Sequence, residues 1–168
     1  MERVLPTIVD IAARYPARTV FTRFITPNFP EEAHGQWRPY FERWKIATRQ
    51  ASGGTQLDLV PELARYAPPA MVIDKSTYSA FFRSPLARLL LDRQVHTVIV
   101  TGAETDVCVL STVLDAVNLG FRVIIIEDAL CSSSDAGHDA LMTMYRLRFT
   151  EQIDLIKAEQ LAEFWRPA

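Results

Sequence analysis

The stretch VIVTGAETDVCVLSTVLDAVNLG, residues 98–120, decides how the rest of the chain is interpreted. The apolar run Val98–Val100, which ends at Gly102, is typical of a buried parallel strand. Thr105 or Asp106 can then cap a helix, because apolar residues recur at helical spacing until Gly120: Val107, Leu110, Val113, Leu114 and Val117. Cys108 is therefore predicted in the first turn of that helix, where free N–H groups and the helix dipole stabilise a thiolate. A lone cysteine is equally often a small buried hydrophobic residue, so its position alone leaves both interpretations open.

The composition is that of an ordinary globular domain of 168 residues, 49% apolar and 23% charged. A net charge of −2 and scattered basic residues predict no nucleic-acid partner. Two cysteines, Cys108 and Cys131, do not make a disulfide framework. No apolar run approaches the ~20 residues that span a bilayer, and the charged, proline-containing N-terminus does not resemble a signal peptide. We expect a cytoplasmic protein with no membrane partner.

Predicted helices and strands alternate along the chain. The strands are expected at Thr19–Phe24, Ala70–Asp74, Val98–Val100, Arg122–Ile126 and Gln152–Ile156. The helices are expected at Val4–Tyr15, Pro39–Arg49, Asp58–Tyr66, from Ser84 onward, around Cys108, from Ser132–Asp135 to Arg148, and at Ala158–Trp165. This alternation predicts an α/β fold of three layers, α/β/α, with a mostly parallel, Rossmann-like sheet.

Ligands of such sheets bind beyond the carboxyl ends of the strands. Lys75, Cys108 and the segment Asp128–Ser134 all follow predicted strands and fall on that edge. An ammonium group therefore has a route to the thiol, which favours Cys108 as a nucleophile over a buried hydrophobic residue.

Two segments resemble the isochorismatase-like cysteine hydrolases, which include nicotinamidases, N-carbamoylsarcosine amidases and ureidoacrylate amidohydrolases. VIDKSTYSAFFRSPL, residues 72–86, resembles the lysine segment of that family, and residues 98–129 resemble its nucleophile segment. The matching positions are Lys75, Tyr78, Ser79, Ala80, Phe81, Leu86, Gly102, Thr105, Cys108, Val109, Asp115, Ala116, Gly120, Asp128 and Ala129. The resemblance implies a single domain over residues 1–168, with the strand order 3-2-1-4-5-6.

The resemblance also implies an enzymatic site. Cys108 would be the nucleophile and Lys75 its charged neighbour in a Cys–Lys–Asp triad. A cis peptide between Ala103 and Glu104 would aim the backbone N–H groups of Glu104 and Cys108 at an oxyanion. The expected reaction cleaves a C–N bond of a small amide, ureido or carbamoyl compound through a thioester, without a cofactor. The Glu104 side chain is expected to face either solvent or Lys75.

Other residues are assigned with less support from the pattern. Trp37, Tyr78 and Phe81 are candidates for substrate binding, although aromatic residues of the irregular region 25–54 can equally cap the core. Cys131 and His138 are interpreted as structural. Homodimers or homotetramers are expected from the family, and the tryptophans at 37, 44 and 165 could contribute to a subunit contact.

The sequence departs from the family in two places. The triad aspartate belongs on a strand that precedes the first helix, and Asp10 cannot replace it, because only nine residues separate it from Thr19. The domain is therefore expected to be N-terminally incomplete, with a gap between the strands at 19–24 and 98–100, and with weak or no activity. His34, beside Glu31 and Glu32, does not make a metal site by itself, which disfavours nicotinamide as the substrate. Two alternatives stay open: hydrolysis of a vinyl ether, as in isochorismate, and a non-catalytic binding or oligomer subunit.

Overall fold

The structure is a computed structural model that describes residues 1–54 and 57–166. Its strands are β1 (Val20–Phe24), β2 (Met71–Lys75), β3 (Thr97–Gly102), β4 (Arg122–Leu130) and β5 (Ile153–Ile156). Its α-helices are α1 (Leu5–Arg14), α2 (Trp37–Arg43), α3 (Arg49–Ser52), α4 (Pro61–Ala64), α5 (Leu86–Asp92), α6 (Leu110–Asn118), α7 (Asp135–Arg148) and α8 (Leu161–Phe164). None of the helices in the described residues is long and apolar enough to cross a membrane.

The strands of the described residues form two parallel sheets. β1 pairs with β2, and β3, β4 and β5 pair in that order. β1 and β3, which the sequence analysis places on either side of a gap, lie in different sheets. The middle strand β4 is fully buried from Val123 to Ile126, whereas every residue of β3 is partly exposed. The alternation of strands and helices thus gives the expected α/β fold, with its parallel strands divided between two sheets.

Helix α1 packs against strands of both sheets. Val4 and Ile8 lie in a buried cluster with the β4 residues Ile124 and Ile126. One turn further along the helix, Ala12 packs in a second cluster that contains Phe21 of β1. The apolar stripe of α1 therefore holds the two sheets at a fixed separation on one face of the molecule.

The opposite face is covered by α5, α6 and α7. The main cluster contains residues of α6, β4 and α7, all of them buried: Val113, Ala116, Val123, Ile125, Met142 and Tyr145. Leu86 of α5 packs with Ile73 of β2 in a smaller cluster. Helices on both faces of parallel strands make the three layers that the sequence predicts.

Several predicted boundaries differ from the structure. The helix expected at Pro39–Arg49 begins at Trp37 and ends at Arg43. It can begin before Pro39 because a proline is tolerated in the first turn of a helix, where its missing N–H would have no partner within the helix. β4 continues four residues beyond Ile126, and Gly102 of β3 pairs with Leu130 after a register shift. At the C-terminus, a 3₁₀ turn at Ala158–Gln160 precedes the short helix α8.

Tyr145 carries a buried hydroxyl without a hydrogen-bond partner among the described residues. Its side chain is 1% exposed, and burial raises the pKa of its phenol. Replacing Tyr145 by Phe removes an unsatisfied polar group, so we expect the free energy of unfolding to stay unchanged or rise by about 1 kcal/mol. Denaturant unfolding measures this, with Tyr66→Phe as the control, since the Tyr66 hydroxyl accepts a hydrogen bond from exposed Arg65. A loss of more than about 1 kcal/mol in Tyr145→Phe would mean that the hydroxyl has a partner.

Candidate active site

Cys108 lies in the turn that connects β3 to α6. Residues Thr105–Val109 form one π-helical turn, in which the N–H groups of Val107 and Val109 both donate to the carbonyl of Glu104, at 3.2 and 3.0 Å. The thiol is partly buried and follows the strand directly, as the sequence predicts. The prediction that Thr105 or Asp106 caps this helix is wrong, because neither side chain makes a capping hydrogen bond.

Lys75 is the last residue of β2 and is only 7% exposed. Its ammonium donates to the carbonyls of Thr77 and Tyr78 at 3.0 and 2.7 Å. The same nitrogen lies 5.1 Å from the ring centre of Phe24, because Phe24 of β1 is directly paired with Lys75. Burial lowers the pKa of Lys75, and the charge and hydrogen bond of Cys108 oppose this only in part. The structure therefore brings the ammonium and the thiol together.

Three aromatic rings pack together beside Lys75, those of Phe24, Trp37 and Tyr78. The rings of Trp37 and Tyr78 meet edge to face, with centroids 4.7 Å apart, and Phe24 lies 6.3 Å from Tyr78. Burial raises the pKa of Tyr78, and the nearby Tyr40 and Cys108 raise it further. Two of the three substrate-binding candidates, Trp37 and Tyr78, thus lie together near the thiol.

Phe81, the third candidate, lies elsewhere. Its ring stacks on that of Phe121 at a centroid distance of 6.0 Å and packs against the main core cluster. The position of Phe81 is explained by core packing, and it does not favour a role in substrate binding.

Residues 103–106 make further contacts that sequence patterns did not indicate. The peptide between Ala103 and Glu104 is cis, as the family resemblance implies. The Glu104 carboxylate is partly exposed and accepts hydrogen bonds from the Ser132 hydroxyl and the Ser133 N–H, and Lys75 is not among its partners in the described part of the chain. The polar run 132–134, on the same sheet edge, is the signal that could have indicated these partners.

No carboxylate is among the observed partners of the Lys75 ammonium within residues 1–54 and 57–166. Asp10 lies on α1 and pairs with Arg14 at 2.6 Å on the exposed surface, in agreement with its rejection as a triad residue. In the described part of the chain, no three His, Cys, Asp or Glu side chains are grouped so that they could hold a metal ion. His34 is exposed.

Comparison with known proteins places this site in a family. A model of the isochorismatase domain matches residues 1–157. The chain belongs to the isochorismatase family. Its fold is shared by an isochorismatase family protein from Desulfovibrio vulgaris, with a TM-score of 0.80 at 20% identity over 96% of this chain and 83% of that one.

Two curated relatives match about half of the chain. The ureidoacrylate amidohydrolase RutB of Enterobacter sp. (strain 638) is 42% identical over 82 residues, which are 49% of this chain and 35% of the relative. The uncharacterized isochorismatase family protein PncA of Bacillus subtilis (strain 168) is 37% identical over 73 residues, 44% of this chain and 40% of the relative. The aligned chain thus spans two fifths or less of the length of either relative.

Replacing Lys75 by Met tests whether the ammonium stabilises the Cys108 thiolate. Loss of a buried positive neighbour disfavours the reactive form of the thiol, so the rate of Cys108 alkylation near neutral pH should fall by about tenfold or more. Intact-mass labelling with iodoacetamide across pH measures this, with exposed Lys45→Met as the control and Cys131 as an internal reference. An unchanged pH profile of Cys108 alkylation in Lys75→Met would show that the lysine does not affect the reactivity of the thiol.

Gly137, in the first turn of α7, tests the contact between that helix and Asp106. A Cβ at Gly137 would lie 2.1 Å from Oδ2 of Asp106. Gly→Ala in a helix usually stabilises by about 0.5–1 kcal/mol, but here the carboxylate must move, so we expect Gly137→Ala to destabilise. In an Asp106→Ala background the clash is absent and the same change should stabilise. Denaturant unfolding of the four proteins gives the coupling energy, and additive effects would contradict the contact.

Proposed function

We propose that the chain is a cysteine hydrolase that cleaves the C–N bond of a small amide, ureido or carbamoyl compound. The observation that carries this proposal is the buried Lys75 ammonium beside Cys108 at the carboxyl edge of the strands. A thiol supported by a nearby cation at a sheet edge suits nucleophilic attack on a carbonyl. The similarity to a relative named as an ureidoacrylate amidohydrolase supports the same class of bond.

The reaction would run in two stages. The Cys108 thiolate attacks the carbonyl carbon, and the carbonyl oxygen becomes an oxyanion. When this intermediate collapses, the C–N bond breaks, the nitrogen takes up the proton that the thiol lost when the thiolate formed and leaves as an amine or ammonia, and a thioester remains. Water then attacks the thioester, which releases the acid and restores the thiol. The net reaction consumes one water molecule and needs no redox partner.

Backbone N–H groups of the turn at 103–108 would stabilise the oxyanion. Glu104 and Cys108 supply these groups in our proposal, because Cys108 lies in the first turn after β3, where N–H groups lack partners within the helix. Removing such a donor typically costs about 10²–10³ in rate, so their placement would matter as much as the thiol itself.

Trp37 and Tyr78 would form one wall of the substrate pocket. Their rings meet edge to face near the thiol, and the face of one ring would pack against a planar acyl group. Substitution of Trp37 should therefore act mainly on KM, since this ring does not contact the reacting bond.

A second candidate function is a non-catalytic binding subunit. It is favoured by the observation that, in the part of the chain the structure describes, the partners of the Lys75 ammonium include no carboxylate to relay a proton. The cytoplasmic location, the homodimeric or homotetrameric state and the single-domain organisation remain predictions from the sequence.

The test compares hydrolysis of a panel of small amides, ureido acids and carbamoyl amines, with product ammonia or amine measured directly. Cys108→Ser should lower kcat/KM by at least about 10³, because the serine hydroxyl is not ionised by this site. The matched variant Cys131→Ser should keep the activity. With hydroxylamine present, a thioester should yield a hydroxamate, which a vinyl-ether hydrolase would not form.

Turnover that survives in Cys108→Ser would exclude the thiol as the nucleophile. Absence of turnover by the wild-type chain on every compound, together with saturable binding of one of them, would support the non-catalytic candidate.

A further inference from the structure

Three consecutive side chains before Cys108 are all directed at one distant segment. We call residues 103–108 the nucleophile turn and residues 132–134 the serine loop. Glu104 and Asp106 bind the serine loop, and Thr105 contacts His138 in the first turn of α7. These partners lie 26 to 33 positions away in the sequence, so the nucleophile turn is fastened to the β4–α7 connection by its side chains.

Glu104 makes the best-defined of these contacts. Its Oε2 accepts from the Ser132 hydroxyl at 2.8 Å and also from the backbone N–H of Ser133. Burial alone would raise the pKa of Glu104, but the hydrogen bonds from Ser133 and Ser132 hold it below its usual range. The group is therefore an ionised acceptor whose partners include a donor fixed in the backbone.

Asp106 competes with Glu104 for one of these donors. The Ser132 hydroxyl lies 2.5 Å from Oδ1 of Asp106, and a hydroxyl has one proton, so it can donate to only one carboxylate at a time. The Ser133 N–H is available to Glu104 in either case. Glu104 thus keeps a bond to the serine loop whichever way the hydroxyl of Ser132 points.

The backbone continues the same connection. Thr105 is fully buried, and its N–H donates to the carbonyl of Cys131 at 3.0 Å. The N–H of Cys131 donates in turn to the carbonyl of Gly102 at 3.2 Å. The β3–β4 ladder ends at the pair Gly102 and Leu130. Beyond this pair, side-chain hydrogen bonds and the N–H of Thr105 connect residues 104 and 105 to the β4–α7 connection.

We propose that Glu104 is a positioning residue, whose hydrogen bonds to Ser132 and Ser133 hold the nucleophile turn in the orientation that Cys108 and its neighbouring N–H groups need. Any effect on hydrolysis rests on the proposed function, whereas an effect on the reactivity of the thiol does not. A carboxylate near a thiolate would otherwise disfavour it, and the serine loop draws this carboxylate into its own hydrogen bonds.

The experiment compares Glu104→Ala with Glu104→Gln in the full chain. Both variants remove the negative charge, but only the glutamine carbonyl can still accept from the Ser133 N–H. We expect Glu104→Ala to lower kcat for amide hydrolysis by about 10–100-fold while KM changes less than about threefold. Glu104→Gln should retain kcat within about threefold of the wild type, and the exposed Glu151→Ala serves as a control.

A second readout does not require turnover. The rate of iodoacetamide alkylation of Cys108 is measured against pH in a Cys131→Ser background. The charge is absent from both variants, and only the hydrogen bonds to the serine loop differ. The alkylation midpoint for Glu104→Ala should lie at higher pH than that for Glu104→Gln, because only the glutamine still holds the turn whose N–H groups favour the thiolate. If the wild type hydrolyses no amide but the two midpoints differ, the proposed function fails and the positioning role of Glu104 stands.

Equal kcat values and equal alkylation midpoints for the two variants would overturn the proposal, since charge and not position would then be the cause. A fall in thermal stability for Glu104→Ala with unchanged kcat and midpoint would overturn it as well, because that is the result of a purely structural contact. Should Glu104→Ala fail to fold, Glu104→Met takes its place in both comparisons, because its side chain is of similar length and has no carbonyl to accept from the Ser133 N–H.

Discussion

The packing of α1 across two sheets is the constraint on which the rest of the structure depends. Lys75 ends β2 in one sheet, and Cys108 follows β3 in the other, so no strand pairing among the described residues fixes their separation. The connection on this face is apolar: Ile8 of α1 packs on β4, and Ala12 of the same helix packs with Phe21 of β1. Apolar packing is non-directional but close to crystalline density, so even small changes of volume in this stripe are transmitted to its neighbours. The fit of this helix thus contributes to the spacing of ammonium and thiol, together with the hydrogen bonds that Ser79 and Ala80 donate to Asp115 and Thr112 of α6.

Placing a lysine in this interior has an electrostatic cost, and the surroundings explain how the cost is met. An ammonium loses hydration on burial and must regain partners within the protein. Lys75 finds them in two backbone carbonyls of the following turn and in the face of Phe24. The interaction that is left is with Cys108, whose thiolate favours the charged lysine. The charge of Lys75 therefore depends on these partners, because burial alone disfavours the ammonium.

Sequence patterns predicted the elements and the placement of Lys75 and Cys108 at one sheet edge, and they failed on the second set of contacts. Alternating apolar runs and helical stripes are local signals, and strand ends in a parallel sheet converge on one edge, so Lys75 and Cys108 could be placed together before any coordinates. The capping rule, also local, assigned Thr105 and Asp106 to their own helix. Their actual partners, Ser132 and His138, lie about thirty positions away, and nothing in the spacing near Cys108 points to them. Phe81 packs against the main core cluster, so a family motif alone does not distinguish an aromatic residue of the core from one of the site.

Segment 75–78 connects the Lys75 ammonium to the aromatic rings beside it. Tyr78 holds the Lys75 ammonium with its backbone carbonyl and presents its ring to Trp37 on α2. Under the proposed function, a substrate that displaces the tyrosine ring would act on the same residue that orients the cation, so the fit of the acyl group and the position of the ammonium would be coupled. This coupling follows from geometry, since a residue three positions after a strand end reaches both the sheet edge and the helix that covers it. Under the proposed function, the choice of substrate would then also affect how the ammonium is held beside Cys108.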